Sequence, residues 1–140
     1  MKKLEKLQER ALRIVYQDDL LDYENLLTKS GQLGLRMNMI RVLSIEMFKC
    51  VNGINPAYLN EMFTVLNSEY NFRNQSRLDQ PKFNTKTFGY KSFNYFGAKI
   101  WNLIPTHTKS TDDLSIFRSN IYKWCQTEYA QNVLDQIGLW

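Results

Sequence analysis

The chain has 140 residues, a formal net charge of +4 and an aromatic share of 14%, enough to bury one core and too little for two domains of usual size. No run of about 18 apolar residues is present to cross a bilayer. A single histidine, His107, and two distant cysteines, Cys50 and Cys125, supply no zinc ligand set, and both thiols are expected reduced and buried.

The start, MKKLEKLQERALRIV, is basic, but Glu5, Glu9, Arg10 and Arg13 interrupt its apolar residues, so no signal-peptide core is present. Leu4, Leu7, Ala11, Leu12, Ile14 and Val15 recur at spacings of three and four, which predicts an amphipathic first helix. Asp22 is placed to cap a second, short helix carrying Tyr23, Leu26 and Leu27, and Gly31 to end it in a left-handed conformation. The two helices are expected to form a hairpin. From Leu35 to Val51 the stripe Leu35, Met39, Val42, Leu43, Met47 and Val51, widened by Ile40 and Phe48, predicts a core helix stopped at Gly53. Pro56 then suits the first turn of a short helix through Tyr58, Leu59 and Met62.

Between Asn67 and Gly89 the stripes give way to Asn, Gln, Ser, Arg and Thr, and KFNTKTF alternates as a short strand or extended arm does. SFNYFGAKIWNLIP returns to helix from Ser92 and leaves it at Pro105, with Gly97 marking a close approach by another element. His107 falls in a post-proline loop. Thr111, Asp112 and Asp113 suit the start of a last helix through Leu114, Phe117, Ile121 and Trp124, a stripe that Tyr129, Val133, Leu134 and Ile137 continue. The expected fold is mainly α: a small bundle of about six helices with a short extended or strand segment near residues 82–88. It is read as one domain, with a helical half at 1–65, a basic extended segment at 66–91 and a second helical half at 92–140.

Tyr16, Asp18 and Asp19 spell the Tyr-x-Asp-Asp of a polymerase active site. Metal-dependent nucleotide transfer, however, needs carboxylates from separate parts of the chain to converge on paired magnesium ions. Only one helix precedes Tyr16, without a strand signal or an upstream acidic partner, so the pair reads as turn or capping residues between helices. His107 lacks a nucleophile motif and an orienting acid, and Gly31 and Gly34 lack the flanking strand and Lys-Ser/Thr of a phosphate loop. No catalytic residue, metal or cofactor is therefore expected, and the chain is not read as an enzyme.

The charge is unevenly placed. From Asn71 to Lys109 the basic residues Arg73, Arg77, Lys82, Lys86, Lys91, Lys99 and Lys109 face only Asp79, interleaved with Phe and Tyr residues and Trp101. Basic and aromatic groups mixed in this way can follow a phosphate backbone and stack on bases; the same pattern also describes an aromatic core with a solvated lysine rim. Arg73, Arg77, Lys82, Lys86, Lys91 and Lys99 are the candidate nucleic-acid contacts.

LEKLQERALRIVY, IEMFKCVNGINPAYL, YNFRNQSRLDQPKFNT, FGYKSFNYFGAKIWNLIP and LSIFRSNIYKWC, in that order, resemble the carboxy-terminal tail of LINE-type, Jockey-like non-LTR retrotransposon reverse transcriptases. The most specific pieces are Arg73-Asn74 ahead of a proline and the Trp-Asn-x-x-Pro of Trp101, Asn102 and Pro105. The resemblance implies a non-catalytic region that follows the polymerase palm and thumb and helps hold RNA template or target DNA. It implies RNA or DNA and the polymerase portion of a parent element as partners, no membrane or small-molecule substrate, and an intracellular, nuclear location. It places Asp18 and Asp19 downstream of any true active site. The chain begins close to the tail boundary and lacks the cysteine-rich ending of some relatives, which fits a fragment or decayed insertion as well as a reused tail. The alternative expectation is a helical interaction or packing module without affinity for nucleic acid.

Overall fold

A computed structural model describes the backbone of residues 2–66, 77–82, 85, 89 and 92–137, with side chains up to residue 132. The described chain is mainly helical. Eight helices follow in order: α1 (Lys2–Tyr16), α2 (Tyr23–Ser30), α3 (Leu35–Val51), α4 (Ala57–Asn60), α5 (Phe93–Leu103), α6 (Thr106–Lys109), α7 (Leu114–Cys125) and α8 (Glu128–Ile137). No described helix is long and apolar enough to cross a membrane.

Two helices exceed the expected six. Pro105, lacking an amide hydrogen, stands at the N-cap of α6, so His107 is exposed on a helical turn instead of in a loop. The final stripe breaks at Gln126 and Thr127, and the Thr127 hydroxyl accepts the Ala130 amide to start α8 afresh.

Local chemistry sets most boundaries. Gly31 and Gly53 take φ of 64° and 68°, left-handed values that end α2 and α3. Ser92 Oγ accepts the Tyr95 amide at 3.3 Å at the start of α5, and Asp113 Oδ1 accepts the Ser115 and Ile116 amides at 2.6 and 3.1 Å at the start of α7. Asp22 occupies the N-cap of α2, yet its side chain makes no capping hydrogen bond.

The chain divides into two compact units, one comprising residues 1–40 and 125–140 and the other residues 41–124. In the first unit, Gln8 links α1 to α2 and the turn after it: the Tyr23 hydroxyl donates to Gln8 Oε1 at 2.7 Å, and Gln8 Nε2 donates to the Leu33 carbonyl at 3.3 Å. Leu12, Leu26, Met37, Ile40, Cys125 and Ala130 are buried there. The apolar stripe of α1 is not: Leu12 alone is buried, whereas Leu4, Leu7, Ile14 and Val15 are 55 to 77% exposed.

The core of the second unit is aromatic. Phe48 stacks on Phe117 with ring centroids 4.3 Å apart, and Trp101 tilts against Phe117 at 6.0 Å. Met47 packs over Gly97, where an added Cβ would come within 2.5 Å of the Met47 sulfur, so the expected close approach is made by α3. The buried face of α3 differs from the expected stripe. Met37, Ile40, Ser44, Met47, Phe48 and Cys50 are buried, whereas Val42 is 49% exposed. Apolar residues surround much of this helix, so spacing alone does not select one face.

Both thiols are free and buried, as their apolar character predicts. Most of the strand expected near 82–88 lies outside the described residues. The extended pairing that is described lies upstream, an antiparallel bridge between Val65 and Leu78.

Candidate functional site

The Tyr-x-Asp-Asp connector is built as a turn. Gln17 takes a φ of 49° directly after α1, and Asp18 Oδ1 then accepts the amides of Leu20 and Leu21, each at 3.2 Å. Its other oxygen lies 3.6 Å from the Lys29 ammonium, which also stands 5.3 Å from the centre of the Tyr16 ring. Desolvation alone would raise the Asp18 carboxyl, but the two amides and Lys29 bring it below its ordinary value. Asp19 contributes its backbone carbonyl, which accepts Arg13 Nη1 at 2.7 Å. Among the described residues no three His, Cys, Asp or Glu side chains cluster as metal ligands. The geometry is that of a helix-to-helix turn.

The Trp-Asn-x-x-Pro residues organise a different place. Leu66 N donates to Arg77 O at 2.8 Å and Asp79 N to Thr64 O at 2.9 Å, which aligns residues 64–66 against 77–79. On its other side Leu78 meets the Asn102 side chain from α5: Leu78 N donates to Asn102 Oδ1 at 2.8 Å, and Asn102 Nδ2 donates to Leu78 O at 2.9 Å. The amide thus does for Leu78 what a neighbouring strand would do, and the Leu78 side chain is 1% exposed. Successive side chains of extended backbone point to opposite faces, so burying Leu78 turns Arg77 and Asp79 outward, and both are exposed.

Beside Asn102, the Trp101 carbonyl accepts the Lys109 ammonium at 3.0 Å, and the same ammonium lies 5.2 Å from the centre of the Trp101 ring. Pro105 begins the turn that carries Lys109 back to α5. Burial, reinforced by the nearby Arg77 guanidinium, pushes the Lys109 ammonium down to about 8. Trp101, Asn102 and Pro105 therefore bring together two cations that are far apart in sequence.

Of the six candidate contacts, Arg77 and Lys82 are exposed, and Lys99 is half-buried with its ammonium 6.0 Å from the Tyr95 ring. Arg73, Lys86 and Lys91 lie outside the described residues. Lys109, basic but not counted among the six, is the partner that Arg77 acquires in the fold. The proline that returns the chain toward Trp101 was its sequence signal. Comparison of the chain with family models, curated proteins and solved structures gives no match.

Proposed function

We propose that this chain is a non-catalytic nucleic-acid-binding tail of the LINE-type reverse transcriptase kind, in which the unit formed by residues 41–124 grips a phosphate backbone. The observation that carries the reading is that Asn102 holds Leu78, the neighbour of the exposed Arg77, while the adjacent Trp101 carbonyl holds the partly buried Lys109 ammonium. Two cations held near one another repel, and a phosphate bridging them removes that repulsion while gaining charge-assisted hydrogen bonds. Arg77 supplies a planar fork of donors, Lys109 a point charge steadied by Trp101, and Lys82 a further exposed cation. Arg73, Lys86, Lys91 and Lys99 extend the set in sequence. The Asp18 turn supplies no chemistry in this reading, and the work is binding alone.

Fluorescence anisotropy against single-stranded RNA and duplex DNA at several salt concentrations tests the reading. Each phosphate contact is expected to contribute about −0.7 to −0.9 to the slope of log affinity against log salt. Replacing Arg73, Arg77, Lys82, Lys86, Lys91 and Lys99 by Gln should abolish binding, and Arg77→Gln alone should flatten the slope by about one contact. Absence of binding at low salt, or affinity indifferent to salt, refutes it.

A further inference from the structure

An amphipathic helix on a globular protein ordinarily turns its apolar stripe inward, and α1 does the reverse. With about 100° between successive residues, Leu4, Leu7, Ala11, Ile14 and Val15 fall within an arc of about 100°. Leu4, Leu7, Ile14 and Val15 are 55, 58, 77 and 71% exposed, and Ala11 between them is exposed too. The face that packs within its own unit is another one, carried by Leu12 and by Gln8, which bonds to Tyr23 and Leu33. The outward residues Leu4, Leu7, Ala11 and Ile14 follow spacings of three, four and three, those of the a and d positions of a two-heptad coiled-coil seam. Ala11 at the middle lets a second backbone approach closely.

Charge selects the occupant. The border of the apolar arc away from the packed face carries Lys3, Lys6 and Arg10, all exposed. The acidic residues of the helix lie elsewhere: Glu9 is paired with Arg13 at 2.7 Å, and Glu5 lies on the packed side beside α2. A second copy of the chain supplies no carboxylate for this border: set antiparallel it would place Lys3 and Arg10 against their own counterparts, and set parallel it would place them against Gln8 and Val15. A lipid surface is a poorer fit, because the arc holds no Trp or Phe and is basic along one border only.

We propose that the outward face of α1 is a docking surface for an amphipathic helix of another protein whose flanking residues are acidic, seated on the Leu4, Leu7, Ala11 and Ile14 seam with its carboxylates against Lys3, Lys6 and Arg10. This concerns the unit formed by residues 1–40 and 125–140 and is independent of the nucleic-acid reading.

The test uses the full chain and two designed three-heptad peptides with Leu at a and d, one with Glu and one with Lys at e and g, followed by anisotropy. The Glu peptide is expected to bind at least about tenfold more tightly. Leu7→Asp with Ile14→Asp should remove binding while leaving the circular dichroism unchanged, since both positions are exposed. Reversing the border with Lys3→Glu, Lys6→Glu and Arg10→Glu should transfer the preference to the Lys peptide. Equal affinity for the two peptides, or no binding of the Glu peptide, overturns the proposal. So does occupation of the face by a second copy, seen by sedimentation, or by phosphatidylserine vesicles in preference to the peptide.

Discussion

Asn102 does at one residue what a strand does with several. Its amide satisfies both backbone groups of Leu78 that the bridge to Val65 leaves over. In a buried place each such group costs about 1–3 kcal/mol when left without a partner. Asn102→Leu is therefore expected to lower unfolding free energy by about 2–3 kcal/mol in urea titrations, whereas the exposed Asp79→Ala should change it by less than about 0.5 kcal/mol. Lys109 makes a second prediction. Its ammonium titrates near 8 in the fold against an ordinary 10.5, so between these values the unfolded chain holds more protons and stability rises with pH. The full shift does not convert into stability because the group remains partly in water; after screening, the rise is on the order of 1 kcal/mol. Lys109→Met should flatten it, as read from urea midpoints between pH 7 and 10.5. The importance of Asn102 and Lys109 was only half legible in sequence, since the partners of both come from other segments.

Among the helices, the crossing of α3 over α5 depends on the missing side chain of Gly97. Alanine there would gain about 1 kcal/mol of helix propensity, but its Cβ would lie 2.5 Å from the sulfur of the fully buried Met47. Overpacking of this kind costs about 1–3 kcal/mol, so Gly97→Ala should be net destabilising. Adding Met47→Ala should cost less than the sum of the two single changes in a double-mutant cycle. The close approach was legible because a glycine inside a strongly apolar helix needs a reason. The buried face of α3 was not, because its apolar residues are spread around the helix and neighbouring elements choose Ser44 over Val42. For α1 the periodicity named the stripe but not the direction it takes: the stripe exists and faces outward.

Over the whole molecule, the net charge of +4 hides an imbalance, with basic residues concentrated between Arg73 and Lys109. If this region grips phosphate, Lys109 makes the grip sensitive to pH. Affinity for single-stranded RNA at fixed salt should weaken several-fold between pH 7 and 9 as the ammonium near 8 loses its proton. Lys109→Arg should remove most of that dependence, since guanidinium stays charged throughout. A profile unchanged by Lys109→Arg would separate Lys109 from the binding surface.

The amino-acid order alone determined the helical class, the stops at Gly31 and Gly53, a helix start among Thr111, Asp112 and Asp113 and a turn at Asp18 and Asp19, because each rests on backbone chemistry within a few residues. Only tertiary structure decided which stripe is buried, that Leu78 pairs with Val65 and Asn102, and that Arg77 comes to stand near Lys109. Those outcomes join groups from distant segments, and periodicity describes the faces a helix offers without saying which neighbour covers them.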